Sequence, residues 1–252
     1  MESSLATLPA ALVFAGIFLF GSARRLSSQR WHDRALSAAA GAACAYVFVQ
    51  LLPEMGEAGR EFVERTADRG LPFPEHRIYL AALVGFVFFY GLDHLSSEAD
   101  RSGRKSAPGY GSGDPLYLLH IGGFAAYGWL VSYTLVRGPE RGLVFVTLYA
   151  VAMGLHFLTV ERSLIAEHAE LYRRPGRQIL AVAVLAGWVC GALFQLPRPL
   201  ILTAGGFIAG SVVMNSLITE LPGEQTGGFW PFALGAAGYA LLTLLLSRAV
   251  VT

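Results

Sequence analysis

Long apolar stretches separated by short polar segments dominate this chain. A helix of about 20 apolar residues crosses a bilayer, and the sequence contains eight windows of about that length. The windows lie at approximately 5–22, 35–55, 77–96, 115–136, 143–163, 178–196, 200–220 and 229–247. This pattern predicts an all-α polytopic membrane protein with eight transmembrane helices, in which residues 1–252 form a single transmembrane domain.

The polar segments between the windows differ in character. Segment 56–77 carries mixed charge and fits an amphipathic surface helix. Segment 97–114 is rich in Ser and Gly, which predicts a flexible loop. Segment 162–177 continues the fifth window as a charged helix, which we expect Pro175 and Gly176 to stop. The first window lacks a basic leader and a small-residue cleavage site, so we expect a retained span.

Composition strengthens the membrane assignment. The chain is 54% hydrophobic and only 15% charged, whereas about 25% charged residues are typical of soluble domains. The bilayer is therefore the expected partner. A net charge of +1 offers no basic field for nucleic acid. Abundant Ala, Gly and Arg beside a single Lys indicate a bacterial protein, hence the inner membrane.

The basic residues favour one orientation. Lys and Arg are concentrated in the cytoplasmic loops of membrane proteins. With the N-terminus outside, the inner loops hold 11 of the 19 basic residues. This bias predicts both termini outside and segment 97–114 in the cytoplasm.

Two segments of the chain resemble each other. Residues 41–54 read GAACAYVFVQLLPE, and residues 210–220 read GSVVMNSLITE. An offset of 166 residues superimposes Glu54 on Glu220. The two windows cross the membrane in opposite directions, as a repeat inverted in the membrane plane requires, and such repeats place binding sites at their interface. Shared apolar composition is the other explanation.

Polar side chains within these two segments are candidates to line a pathway. Gln50 and Glu54 are four residues apart and share a helix face; Ser216 and Glu220 repeat that spacing, and Asn215 is adjacent. A carboxylate within lipid is costly unless it is paired or hydrated. The residues either line a cation pathway, with Glu54 and Glu220 as ligands, or cap the two helices at the membrane interface.

His120 is the strongest single candidate for a metal ligand, because it lies inside an apolar helix; the alternative is a neutral histidine bonded to a neighbouring helix. Asp93 and His94 point about 100° apart on a helix. They form either a polar cap near the end of the span or a metal or proton relay at the mouth of a pathway. His156 and Glu161 either form a displaced metal site or belong to an ordinary helix.

The charged continuation of the fifth window is interpreted as a solvated helix end, and His168 is assigned to that charged surface together with Glu167. No serine triad, phosphate-binding loop or HExxH motif is present in the sequence. We therefore expect neither an enzyme nor a permanently bound cofactor.

The two acid-terminated segments, LLPE at 51–54 and FIAGSVVMNSLITELPGE at 207–224, resemble the ZIP (Zrt/Irt-like) family of divalent-metal permeases. The resemblance implies a 3+2+3 arrangement of eight helices, alternating access, and zinc or another first-row divalent metal as substrate. It also implies a homodimer and a metal path between the fourth and fifth spans.

The chain departs from that family at most of the usual ligand positions. His120 matches the histidine of the fourth span, and Gln50 stands where the second span usually carries a histidine. The remaining positions hold residues that are poor metal ligands: Ile121, Phe124, Tyr149, Ala150 and Met153. Two hypotheses follow: a permease with a reduced site built from His120 and carboxylates of other spans, or a non-transporting relative. Two or more oxygen or nitrogen ligands within about 5 Å of His120 would favour the first.

Overall fold

The computed structural model describes residues 2–20, 29–67, 73–103, 111–137, 143–220 and 228–251, together with Gly70 and Lys105. Every regular element among these residues is helical, and none is a strand. The predicted all-α fold is confirmed. The main helices are α1 (Glu2–Phe20), α2 (Gln29–Tyr46), α3 (Leu52–Thr66), α4 (Arg77–Arg101), α5 (Pro115–Arg137), α6 (Leu143–Leu171), α7 (Arg177–Leu193), α8 (Arg198–Glu220) and α9 (Phe229–Val251).

Five helical segments of the described chain are long and apolar enough to cross a membrane. They are Ser37–Thr66, Arg77–Arg101, Val146–His168, Arg198–Ser216 and Phe229–Leu246. The exterior of α4 and α9 is apolar, which suits lipid contact rather than water. Exposed side chains on these two helices include Leu80, Leu83, Val84, Val87, Leu234, Leu241, Leu244 and Leu245. The protein is therefore membrane-embedded.

Two of the polar segments continue the helices that precede them. A π-helical turn at Val47–Leu51 joins α2 directly to α3, with the Leu52 N–H donating to the Val47 carbonyl. Pro53 lacks an N–H, so the helix loses one ordinary bond there and closes with a wider turn. The segment after residue 56 is thus a continuation of the second helix rather than a separate surface helix, as far as Thr66.

The expectation that Pro175 and Gly176 stop a helix is wrong. A second π-helical turn, Tyr172–Gly176, joins α6 to α7, and the Arg177 N–H donates to the Tyr172 carbonyl. The wider turn accommodates the proline ring without ending the helix. Helix α4 likewise runs on to Arg101, so the first part of segment 97–114 is helical rather than a flexible loop; residues 104 and 106–110 lie outside the described residues.

Three helix pairs form the framework: α4 with α8, α2 with α9, and α5 with α7. Glycines let the backbones of these pairs approach closely, as is common in membrane bundles. Gly210 of α8 faces the Ala82 carbonyl of α4, and Gly85 of α4 faces the Phe207 carbonyl of α8. In the second pair, Gly41 faces Phe232 and Gly235 faces Ala38. Helix α6 carries side chains with no solvent exposure, including Met153, Phe157 and Leu164.

Replacing Gly210 with Ala should destabilise the bundle, because the added Cβ would collide with the Ala82 backbone. Overpacking of this kind costs about 1–3 kcal/mol. The matched control is Gly205→Ala on the same helix, where a Cβ meets no atom within 4 Å. Unfolding of the detergent-solubilised variants in an SDS titration, followed by circular dichroism, measures the difference. Equal midpoints for both variants would contradict the close-approach interpretation.

Candidate metal site

Three metal-ligating side chains from two helices converge at one end of the bundle. They are His120 of α5 and the neighbouring Glu167 and His168 of α6, and one ligand atom from each lies within 4.8 Å of the others. His120 Nδ1 is 3.0 Å from His168 Nε2. The same nitrogen is 3.4 Å from Glu167 Oε2. We call this group the histidine–glutamate cluster.

The cluster is shielded from solvent. His120 is 2% exposed and His168 is 4% exposed, while the Glu167 side chain retains 22% exposure. The edge of the Tyr117 ring packs against the His168 ring, with centroids 5.4 Å apart. The Phe124 ring stacks on the His120 ring, with centroids 5.4 Å apart. These rings limit the rotamers of both imidazoles, so the ligand atoms are held near one another before any ion binds.

Hydrogen bonds from its own helix and from α4 orient the Glu167 carboxylate. Ser163 of α6 donates to Oε1 at 2.9 Å, and Ser96 of α4 donates to Oε2 at 2.6 Å. Lys105, just beyond α4, donates to the Ser96 hydroxyl at 2.8 Å. Such outer contacts fix the geometry of metal-binding carboxylates. They also show that α4 completes the site, although it contributes no atom to the cluster itself.

The spacing of the cluster suits a tetrahedral metal ion. Zinc–nitrogen bonds of about 2.0–2.1 Å place tetrahedral ligands about 3.3–3.4 Å apart. The His120–Glu167 separation of 3.4 Å matches that edge, and the His120–His168 separation of 3.0 Å is slightly short of it. Two imidazoles and one carboxylate also form a recurrent protein set of zinc ligands that leaves a fourth position open.

A small cavity adjoins the cluster and provides room for that fourth ligand. Its volume is about 10 Å³, close to what one water molecule requires, and its walls include Asp93, His120, Glu167 and Asn215. Asn215 is a candidate pathway residue and Asp93 a candidate for a relay or a polar cap, and the structure places both beside the cluster. His94 is exposed and stacks on Tyr90. The two adjacent residues therefore face different surroundings, in agreement with their separation on the helix.

His156 and Glu161 do not join the cluster. His156 has no solvent exposure, neither ring nitrogen has a hydrogen-bond partner, and its ring lies 5.9 Å from that of Tyr127. Glu161 forms an ion pair with Arg177 at 3.5 Å, and both side chains are largely buried. The structure thus does not combine them into the displaced metal site that the sequence allowed.

The two acid-terminated segments contribute little to the cluster. Gln50 accepts a hydrogen bond from Tyr239, and Glu54 lines a different, larger cavity. Ser216 is 3% exposed, one residue from Asn215. Glu220 ends α8, but its side chain lies outside the described residues.

The assignment of Glu167 and His168 to a solvated surface is wrong. Leu164, His168 and Leu171 are spaced four and three residues apart, so they share one helix face. Leu164 has no solvent exposure and Leu171 packs against the core. That spacing was the available signal that His168 faces inward. The many charged residues near His168 in the sequence made this spacing hard to recognise.

Neither a scan against protein-family models nor a search of curated proteins found a match for this chain. The class of protein is therefore assigned from the geometry of the structure. The structure and its chemistry define a helical membrane protein with a buried histidine–carboxylate cluster.

We predict that the purified full chain binds zinc through this cluster. His120→Ala, His168→Ala and Glu167→Gln should each weaken binding at least about tenfold, because the loss of even an outer partner of a metal site has that effect. Isothermal titration calorimetry in detergent at neutral pH measures the affinity. His94→Ala is the control, since His94 is an exposed histidine outside the cluster. Equal losses in all four variants, or in none, would count against the site.

The buried pair of Glu161 and Arg177 predicts a second outcome. Arg177→Met leaves the Glu161 carboxylate buried without its ion-pair partner and should cost about 3 kcal/mol. Combining it with Glu161→Gln should restore much of that loss, because the carboxylate that lost its Arg177 partner is then replaced by a neutral amide. SDS unfolding of the single and double variants compares them, and a double variant no more stable than Arg177→Met would argue against the pair.

Proposed function

We propose that this chain is a ZIP-like membrane permease for a divalent first-row metal, with the histidine–glutamate cluster as its substrate site. One observation carries the proposal: His120 has one imidazole nitrogen and one carboxylate oxygen within 3.4 Å. The transport hypothesis requires two or more oxygen or nitrogen ligands within about 5 Å of His120, and these two atoms satisfy it. Imidazole with carboxylate suits zinc, iron and manganese on ligand grounds, so the proposal names the class of metal rather than one ion.

The arrangement of helix ends supports a path across the membrane. The cluster involves the C-terminal parts of α4 and α6 and the N-terminal part of α5. The larger cavity is lined by the opposite ends of the same helices, at Ile78, Thr134 and Tyr149. Between the cluster and the larger cavity lie fully buried side chains, including Tyr127 and His156. A permease working by alternating access needs such a closed layer between a binding site and one face.

Helix pairing supports the proposed inverted repeat. If α2 corresponds to α8 and α4 to α9, a two-fold axis converts the α2–α9 contact into the α8–α4 contact. These are two of the closest helix pairs of the described structure, and glycines mediate both. We therefore propose the 3+2+3 arrangement of eight spans, with both termini outside a bacterial inner membrane. A homodimer belongs to the same proposal.

A non-transporting metal sensor is the second candidate. The residues at the usual ligand positions of the family include Ile121, Phe124 and Met153, all of them buried. In addition, Lys105 places an ammonium group one hydroxyl away from the Glu167 carboxylate. The fixed positive charge of Lys105 near the Glu167 carboxylate would oppose the rapid passage of a metal cation. The buried residues at the other ligand positions offer a bound metal no second set of donors, which favours binding without transport, and repulsion by Lys105 lowers the affinity of the site.

Transport is tested with the full chain reconstituted into liposomes that contain a metal-sensitive fluorophore. We expect uptake of at least one of zinc, iron(II), manganese and cadmium above that of empty liposomes. His120→Ala and His168→Ala should lower this uptake about tenfold or more, because each removes a ligand, whereas His94→Ala should leave it unchanged.

Calorimetric binding measured on the same preparations separates the two candidates. Binding with no uptake of any of the four metals would replace the permease by the sensor. The absence of both binding and uptake would remove both. Metal uptake that is unchanged in His120→Ala and His168→Ala would assign transport to another part of the chain.

A further inference from the structure

Polar side chains form a stripe between the histidine–glutamate cluster and the larger cavity. They are spaced seven residues apart on α5 and on α6, so those on each helix share one face. They are His120, Tyr127 and Thr134 on α5, and Ser163, His156 and Tyr149 on α6. We call these six residues the polar column. At a rise of about 1.5 Å per residue, the column extends over about 21 Å of a hydrocarbon core that is roughly 30 Å thick.

Each end of the polar column reaches a cavity. At one end, His120 and Ser163 line the small cavity beside the cluster. At the other end, Thr134 and Tyr149 line the larger cavity, whose volume is about 160 Å³, and their hydroxyl oxygens lie 3.2 Å apart. Both cavities are large enough for water. Water in either cavity can therefore exchange protons with an end of the column.

Tyr127 and His156 form the middle of the polar column, and they lack the hydrogen bonds that its ends have. Their rings meet edge to face across the α5–α6 contact, with centroids 5.9 Å apart. Tyr127 is 1% exposed, and His156 has no solvent exposure. Among the described residues, neither the Tyr127 hydroxyl nor the two ring nitrogens of His156 have a hydrogen-bond partner. Such buried polar atoms are costly, so a function of these atoms is the natural explanation for them.

The middle of the column suits a proton better than a metal ion. Divalent metals take four or more oxygen, nitrogen or sulfur ligands, whereas Tyr127 and His156 together offer one phenol and one imidazole. Each of these two groups both donates and accepts hydrogen bonds. It can therefore take up one proton while it gives away another. Histidines within membrane helices serve as proton relays in this way.

We propose that the polar column conducts protons between the two cavities, with Tyr127 and His156 as the relay groups. A proton from water on the larger-cavity side forms a new O–H bond at Tyr127, while that hydroxyl passes its own proton to the unprotonated nitrogen of His156. The N–H bond at the other ring nitrogen breaks, and this proton moves through water past Ser163 to the small cavity. Rotation of the hydroxyl and the ring restores the starting state. Every bond formed is matched by one broken, nothing is oxidised or reduced, and no metal ligand needs to change its charge.

The test measures proton entry into liposomes that contain the full chain and an internal pH-sensitive dye. A potassium gradient with valinomycin drives protons inward, and EDTA in all buffers removes metal ions. We expect the interior to acidify faster than in protein-free liposomes. Tyr127→Phe, which removes only the hydroxyl, and His156→Leu should each lower proton entry to the protein-free rate, because each interrupts the relay.

The matched control is Tyr172→Phe. The Tyr172 side chain has no solvent exposure, and its hydroxyl also has no hydrogen-bond partner among the described residues, but it lies outside the polar column. Its loss should leave proton entry unchanged. Circular dichroism and the midpoint of SDS unfolding establish that Tyr127→Phe and His156→Leu are folded, by a measurement that does not depend on metal binding.

Three results would overturn the proposal. The first is proton entry no faster than in protein-free liposomes, in vesicles that acidify when an uncoupler is added. The second is unchanged proton entry in folded Tyr127→Phe, which would place the route elsewhere. The third is an equal loss in Tyr172→Phe, which would indicate a general effect on packing. Proton entry without any zinc binding or uptake would remove only the proposed metal transport, because the assay contains no free metal.

Discussion

Close contact between helix backbones is the constraint on which the rest of this structure depends. Inside a bilayer the hydrophobic effect does not draw helices together, because lipid tails are as apolar as leucine side chains. Glycines at Gly85 and Gly210 allow α4 and α8 to touch. The resulting position of α4 brings Ser96 to Glu167 on α6. The local geometry of the cluster is therefore a consequence of helix packing some distance away.

Polar groups buried in this framework divide into two kinds. Glu161 is matched by Arg177, and Glu167 accepts hydrogen bonds from Ser96 and Ser163; such matched groups hold helices in register. The His156 ring and the Tyr46 hydroxyl have no hydrogen-bond partner in the described structure. Buried groups of this kind are expensive, and they mark positions where a ligand or a second conformation would supply the missing partner.

Most of the helical architecture could be anticipated from hydropathy, because a bilayer requires long apolar segments. The junctions between helices could not be anticipated from hydropathy. Proline and glycine at Pro175 and Gly176 ordinarily end a helix, but here a π-helical turn absorbs the defect and α6 continues into α7. The same turn type at Val47–Leu51 carries the second helix past Pro53. Whether a break is absorbed depends on neighbouring helices, which local propensity does not describe.

The sequence by itself determined that the chain is helical and suited to a membrane, and it singled out His120 as a polar residue in an apolar helix. Only the tertiary structure decided what His120 faces. Glu167 and His168 lie in a charged stretch 47 and 48 residues further along the chain, and their burial follows from the packing of α4, α5 and α6. Composition and spacing report which side chains a helix carries. The rotation and crossing of several helices decide which of those side chains meet.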